Sequence, residues 1–570
     1  MFTSRHIMKY ELEHLGTELG TGWFAPMPVE DLDFEDGLDY IREHPNDEFM
    51  HKHLLQMTGT FGPNLTCQLI ERGKDDNPHL LALIYEACIL NERLHALTER
   101  FRGTDIKKLA DHTPLIYINW SLKKDLDQKA YWLKLFSENI LRHKPATRPE
   151  DLQHPIPFDP ETMDAWPKAA VPITDVLRQG APGTSSGVVT PGFNPAETSR
   201  KAVEALNAAD LRMGPELKTP GSLSPYALQI PWHLQVSVSA GRNHWQLTGA
   251  QTSYGKGLNI DQAKASCLME IVERCSAFAG FDSERALHYK HGHLLIHARY
   301  ENLKKGSSEV LDPNDMCLEA PYENQPLYWI SGESVDEKGA HPVYVPAQLV
   351  FLFCNIDEIS LTTGVPSTGL ASGNTLEEAK LNGLLEVIER DGERIMPYSR
   401  ERCFSLDYDD PQVKGVFQRC TKEGVHIQFL DITSELGVPC YKAFIRGPEG
   451  EILKGCAAHL DGKRAAVSAL TEVPFRSSWF RPSPKPDGLE TIRLEDLPDY
   501  ASGNISRDLG LLERLLVTNG YRPIYVNLTR NDLDIPVVKA LVPGLEMFAE
   551  FDRFSTLSLR QFVHYLKASQ

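Results

Sequence analysis

The sequence predicts an α+β fold in which a mixed sheet domain with duplicated strand-loop-helix units follows a mainly helical N-terminal domain. Three observations carry that expectation. Residues up to His143 place apolar side chains at three- and four-residue spacing, the helical period. Beyond Leu228, alternating β-branched segments are punctuated by only a few helices, which suits a mixed sheet better than a doubly wound βαβ array. One loop-helix stretch occurs twice. With 570 residues the chain is too long for a single core, so two or three domains are expected.

In the first region, HLLALIYEACILNERLHALTERF (His79 to Phe101) and AYWLKLFSENILRH (Ala130 to His143) read as helices. No catalytic constellation is visible there, and the His51-x-His53 pair reads as a surface accident. Residues 1–143 are therefore assigned to a helical accessory domain. Residues 144–194 are dense in proline, and GAPGTSSGVVTPG (Gly180 to Gly192) has the content of a linker. The second domain, 195–570, opens with PAETSRKAVEALNAAD, a helix with Pro195 near its start. HLQVSVSAG, WQLTGAQTS, PLYWISGESV, HPVYVPAQLVFLF, HIQFLDIT, VPCYKAFIRG, RPIYVNLT and IPVVKALVPG are the expected strands.

Composition narrows the function classes. The formal net charge of -19 argues against non-specific binding to nucleic acid or an anionic membrane. Ten cysteines form no C-x-x-C pair, so no zinc ribbon or thioredoxin-type motif is written here, and reduced thiols in a cytoplasmic protein are expected. The start, MFTSRHIMKYELEHLG, breaks every apolar run with charge, unlike a signal peptide. The longest apolar run, YVPAQLVFLFCNI, is shorter than the roughly 20 residues a membrane-spanning helix takes.

The duplication aligns GLNIDQAKASCLMEIVER (Gly257 to Arg274) on GNTLEEAKLNGLLEVIER (Gly373 to Arg390) without gaps. Gln262, Ser266, Glu270 and Glu273 fall within roughly 80° of one helix face, and Glu378, Asn382, Glu386 and Glu389 do the same in the second copy. Thr375 is a candidate N-cap, with Glu378 at capping-box spacing. Four converging carboxylates repel and hold raised pKa values unless a cation neutralises them, and hard oxygen ligands suit magnesium beside phosphates. The bland reading makes Glu270–Arg274 and Glu386–Arg390 routine i,i+4 ion pairs. A second copy in the same register favours a shared site. GAQTSYGKG (Gly249 to Gly257) is not a Walker A loop, because its spacing is one residue too long and Gly257 stands where Ser or Thr belongs.

The pair GKGLNIDQAKASCLMEIVERCSAF and STGLASGNTLEEAKLNGLLEVIERDGER resembles the YcaO family of ATP-dependent enzymes. LDPND, YVPAQLVFL, AAVSALTE and VPGLE extend the likeness over about residues 190 to 570. The resemblance implies a YcaO-type sheet domain that binds ATP and Mg2+ and activates a backbone amide oxygen by phosphorylation. A Cys, Ser or Thr side chain then gives an azoline, and sulfide gives a thioamide. Carried over by position, Glu270, Glu273, Glu386, Glu389 and Glu472 would be metal ligands. Asn374, Glu378, Asn382 and Arg390 would contact ATP.

Three departures stand out. Ser468 occupies a place where the family carries arginine, with Arg464 or Arg476 as candidate substitutes. VPFRSS follows Glu472 where glutamine and then arginine are common. The ending HYLKASQ is not the P-x-P-x-P tail of azoline-forming members. The likeness leaves three readings open: foremost a thioamide- or azoline-forming enzyme, then an ATP-binding accessory factor for another modification such as methylthiolation of a ribosomal protein, and last a binding module that has lost catalysis and keeps the helices as structure. Expected partners are a peptide or protein substrate and a protein of the TfuA or leader-binding type, with homodimerisation left open. The four histidines of HYKHGHLLIH (His288 to His297) are read as packing or surface residues rather than a metal site. Cys267 and Cys275 are given little weight as nucleophiles.

Overall fold

The computed structural model describes residues 7–16, 22–179, 193–219, 221–306, 309–422, 424–447, 450–475, 486 and 488–569. Three sheets organise them, and every strand segment expected from the sequence holds a strand, although HPVYVPAQLVFLF is strand only to Pro346 and passes into the 3-10 helix Ala347–Leu349. The long hairpin Tyr226–Ala240 and Asn243–Gly257 pairs over its whole length, with Trp232, Leu234, Val238, Trp245 and Leu247 buried on alternating positions. A second sheet runs, edge to edge, through Leu370–Ser372, Val537–Leu541, Ile524–Asn527, Leu327–Asp336, Gly339–Pro346 and Glu309–Val310, with Ile296–Ala298 also paired to Leu327–Asp336. A third joins Ile452–Ala458, Cys440–Arg446, Gln428–Asp431, Cys403–Asp407 and Glu490–Arg493. Parallel and antiparallel pairings mix in all three sheets, as the α+β expectation requires.

The N-terminal region is helical but not wholly so. It begins with an antiparallel hairpin, Met8–Gly16 and Gly22–Pro28, and Met8–Gly16 then pairs parallel to Asn243–Gly257. Met8, Tyr10 and Leu12 are buried, so this hairpin completes the first sheet of the domain downstream. The core is accordingly continuous across residue 143: Tyr10, Leu83, Trp245, Ile271 and Trp329 belong to one cluster. The helix expected over 79–101 breaks at Leu90, and a 3-10 helix, His95–Phe101, comes after the break.

Residues 144–179 are not the loose linker that their proline content suggests. They hold the helices Pro160–Ala169 and Ile173–Arg178. Ile156, Phe158 and Met163 pack on Trp132, Phe136 and Phe562, and the Ile173 N–H donates to the Leu436 carbonyl. Proline is tolerated in the first turn of a helix, and Pro160 takes that place behind the Asp159 cap. The GAPGTSSGVVTPG stretch lies outside the described residues.

The duplicated stretches form two long helices, each laid on a sheet. Ile260–Ala277 packs on the long hairpin, burying Cys267, Ile271 and Val272. Leu376–Ile395 packs on Val537–Leu541, with Leu384 and Ile388 in a second core cluster. The ten cysteines are free thiols, and no helix among the described residues is long and apolar enough to cross a membrane.

Candidate functional site

The two copies start alike for the same physical reasons. Asn259 caps the first helix by accepting from the Gln262 N–H at 2.9 Å, and Thr375 caps the second by accepting from the Glu378 N–H at 3.2 Å. Glu378 does not close the expected capping box on Thr375. Its carboxylate reaches one residue further back and accepts from the Asn374 N–H at 2.6 Å, as Gln262 accepts from the Leu258 N–H at 3.0 Å. A Cβ on Gly257 would sit 2.9 Å from the Ala263 nitrogen, and one on Gly373 would sit 2.5 Å from the Ala379 nitrogen. Both loops fold tightly over their helix N-termini, and only glycine allows that approach.

The polar faces of the two helices open onto two adjoining cavities. The first, about 820 Å³, is lined by seven of the nine residues singled out from the sequence: Glu270, Glu273, Asn374, Glu378, Asn382, Glu386 and Glu472. The second, about 830 Å³, takes the other two, Glu389 and Arg390. Glu386 and Glu472 line both, so they stand at the junction. Backbone donors aim the key carboxylates. The Tyr254 N–H donates to Glu270 at 2.5 Å, and the Gly369 N–H donates to Glu386 at 3.1 Å. Asn374 donates to Glu378 at 3.1 Å and accepts from Thr198 at 3.0 Å, while Asn382 donates to the Ser372 carbonyl at 3.3 Å.

Electrostatics distinguish this cluster from a solvated acidic face. Burial pushes Glu273 up to about 8, against the pull of Arg274 and with added repulsion from Glu386 and Glu270. Burial likewise pushes Glu389 up to about 8, against Arg390 and with Glu386, Glu393 and Glu472 adding to the rise. Glu270 and Glu386 are raised by the same cause. Burial thus disfavours the charged carboxylates, and a bound cation would favour them. Among the described residues, no three Asp, Glu, His or Cys side chains form a group that could hold a metal ion.

The arginines differ between copies. Arg274 keeps the i,i+4 pair with Glu270 at 3.5 Å and lies 3.8 Å from Glu273. Arg390 turns away from Glu386, pairing with Glu393 at 2.9 Å and Glu389 at 3.4 Å. Glu393 also pairs with Lys454, and despite burial these two cations hold it at about 2.

Several charged residues at the site carry no signal in the local sequence. Lys539, fully buried, donates to the carbonyls of Pro366 and Thr368 at 2.9 and 2.8 Å and sits near Glu386 and Glu273. It thereby holds the turn that presents the Gly369 N–H to Glu386. Gly369 has φ of +79°, and a Cβ there would lie 2.1 Å from the Ala540 carbonyl oxygen. Lys256 pairs with Glu472 at 2.6 Å. A lysine inside a β-branched strand such as VVKAL is the one hint of Lys539; nothing marks Lys454.

Ser468 lines the second cavity, whereas Arg464 is 71% exposed, 3.6 Å from Asp461, and not among the residues lining either cavity. Arg476 lies outside the described residues. His51 is not on the surface: it is fully buried, bonded to the Pro45 carbonyl at 3.0 Å, because the helix Glu48–Gly59 turns it into the core. His293 packs, bonding the Asn527 carbonyl at 2.8 Å, and His297 stacks on Tyr328. Cys267 and Cys275 are buried, and burial pushes each up to about 12, which leaves them as neutral thiols.

A family model described as YcaO cyclodehydratase, ATP- and Mg2+-binding, matches residues 254–474 and 475–546, about half of the chain. An uncharacterised protein of Methanothermobacter thermautotrophicus is 30% identical over 343 residues, covering 53% of this chain and 83% of that one. An uncharacterised protein of the tfuA 3' region of Rhizobium leguminosarum bv. trifolii is 26% identical over 335 residues, covering 51% and 76%. Among solved structures, a heterocyclase in complex with substrate and cofactor shares the fold at a TM-score of 0.51 and 21% identity. The match covers 66% of this chain but only 56% of the heterocyclase. A YcaO structure from Methanopyrus kandleri, bound with AMPPCP and Mg2+, is 22% identical with a TM-score of 0.44, covering 62% and 91%.

Proposed function

The chain belongs to the YcaO family, whose members bind ATP and Mg2+, and from that premise we propose that it is an ATP-dependent enzyme that modifies a backbone amide of a peptide or protein. The observation that carries this reading is the convergence of both helix copies on two adjoining cavities whose carboxylates are buried enough to disfavour their charged forms. Along the two cavities, Glu270, Glu273, Glu386, Glu389 and Glu472 are the carboxylates from which Mg2+ would draw its ligands, Asn374, Glu378 and Asn382 would contact the nucleotide, and Arg390 would meet phosphate. ATP supplies a phosphoryl group that turns the amide oxygen into a leaving group. The second cavity receives the amide, across Glu386 and Glu472 from the nucleotide. Its cations, Arg390 and Lys454, face the side on which negative charge grows during transfer.

Within that chemistry we favour thioamide over azoline formation. The relative from a tfuA region supports it and suggests a partner of the TfuA type. The accessory region 1–143, connecting segment 144–194 and catalytic domain 195–570 go with this reading, with the N-terminal hairpin as part of the catalytic domain's sheet. Calorimetry with ATP and MgCl2 on the wild type and Glu386→Gln tests it. Saturable binding that is lost in the variant is the expected result. Equal binding, or none in either, would overturn the metal assignment. Binding without ADP formation in the presence of peptide and sulfide would favour the accessory-factor reading.

A further inference from the structure

A third cavity, about 560 Å³, lies between the N-terminal region and the sheet domain. Strand Gly22–Pro28 contributes Phe24 and Met27, helix Glu48–Gly59 contributes Phe49 and Leu55, and Phe353 and Ile359 come from the segment before the catalytic turn. The carboxylates and the lysine on its wall already have partners, while His53 presents a buried Nδ1 without one. Lys52 pairs with Glu48 and donates to the Thr363 carbonyl at 2.9 Å, and Glu48 accepts from the Ser360 hydroxyl at 2.9 Å. Glu358 accepts from the Tyr328 N–H at 2.5 Å and from Gln348 at 2.8 Å. The wall left to meet a ligand is chiefly apolar, with His53 and Gln56 as polar groups beside it, and the volume is that of a small-ligand pocket.

What says who enters is the shared wall. Thr363 lines both this cavity and the second cavity of the candidate site. Its N–H and hydroxyl donate to Glu319, on the catalytic side, at 2.5 and 2.8 Å, while its carbonyl accepts from Lys52 on the other. Six residues on, the same stretch of chain presents the Gly369 N–H to Glu386. The two cavities are therefore neighbours, and an extended polypeptide advances about 3.3–3.6 Å per residue, so side chains a few residues apart are spaced to reach both.

We propose that this cavity is a specificity subsite for the polypeptide substrate, taking an apolar or aromatic side chain a few residues from the amide held in the second cavity. The subsite gives the N-terminal region a part in substrate choice, and it rests on the reading of the second cavity as the place of the amide. An apolar or aromatic side chain suits it because Phe24, Met27, Phe49, Leu55, Phe353 and Ile359 face it and Glu48, Lys52 and Glu358 are already paired; an aromatic ring with a polar tip could also meet His53.

The test pans full-length protein, with Mg2+ and a non-hydrolysable ATP analogue, against a displayed library of random twelve-residue peptides. Leu55→Arg puts charge into the cavity, and Gln56→Trp fills it from the exposed rim. The wild type should enrich an aromatic or branched apolar residue at one fixed position. Both variants should lose that enrichment at least tenfold while nucleotide affinity stays within twofold. No positional preference in the wild type, or an unchanged preference in Gln56→Trp, overturns the subsite. So does binding of the free apolar dye anilinonaphthalene sulfonate at this cavity with no peptide enriched, since it would assign a small ligand instead. Panning repeated without nucleotide separates the two claims: failure of nucleotide binding with the preference intact strikes the proposed function and spares the cavity's taste for apolar side chains.

Discussion

Up to Arg274 and Arg390 the two helix copies match in the place of their caps, their opening glycines and their glutamate pairs; beyond that point they diverge. The first copy ends in Cys275, Ser276 and Ala277, buried and uncharged. The second continues into Asp391, Glu393 and Arg394, all buried. Asp391 takes both arms of Arg560 at 2.5 and 2.7 Å, and Arg560 in turn bonds Glu435 at 2.9 Å. Despite burial, Arg560 and His564 hold Glu435 down at about 2. The second copy is thus tied to the C-terminal helix Leu559–Ala568, and the Glu546 N–H, donating to Asp391 at 3.0 Å, ties a wall of the second cavity to the same carboxylate. Duplication supplied two matched carboxylate faces. The later residues made one of them a wall and the other a junction.

The largest effect that can break this contrast is on stability. Asp391→Ala leaves a buried guanidinium without its bidentate partner, which costs about 3–5 kcal/mol in urea unfolding. Cys275→Ala, at the matching position, should cost about 1 kcal/mol. Equal costs would dissolve the asymmetry. Next comes binding. Glu386→Gln should weaken Mg2+-dependent ATP binding by about 100-fold, and Glu270→Gln, its counterpart at the cavity's edge, by about tenfold. Calorimetry that ranked them the other way would move the junction to the first copy.

A third measurement looks for what the copies share. In the metal-free protein Glu273 and Glu389 hold protons up to about pH 8, against an ordinary 4.5. The folded state therefore binds more protons than the unfolded one across that window, and stability falls as pH rises from 4.5 towards 8. Thermal unfolding at about pH 5.5, 7 and 8.5 should show the decline, and Mg2+ with ATP should flatten it. Glu273→Gln and Glu389→Gln should each remove a similar share. The smallest effect belongs to Arg464→Ala, which should leave ATP binding unchanged and stability within about 0.5 kcal/mol, because the side chain is exposed on neither cavity.

Much of this is legible because local signals and tertiary structure agree. Alternation marks the Tyr226–Ala240 and Asn243–Gly257 strands, and repetition marks the two helices. MKYELEHLG also alternates, with Met8, Tyr10 and Leu12 inward, but its charges equally fit a helical surface and its strand partner lies far along the chain. Proline content at 144–179 suggests looseness, although Pro155 in fact accepts from the Trp132 indole at 3.1 Å. The ionic residues that steer the site, Lys454 and Lys539 among them, acquire their roles from folding: their neighbours come from other strands, and no local spacing announces them. The i,i+4 spacing aims Arg390 at Glu386; the buried Glu393 one turn on draws it elsewhere.

The pairing of Met8–Gly16 with Asn243–Gly257 also sets a schedule. A ribosome emits the first strand roughly 240 residues before its parallel neighbour, and at about 5–20 residues per second that is a wait of about 10–50 s. For that time the hairpin must survive with one edge bare, and its own second strand, GWFAPMP, carries Pro26 and Pro28 on the opposite edge. Proline there denies a neighbouring nascent chain the N–H groups it would need to add itself as another strand.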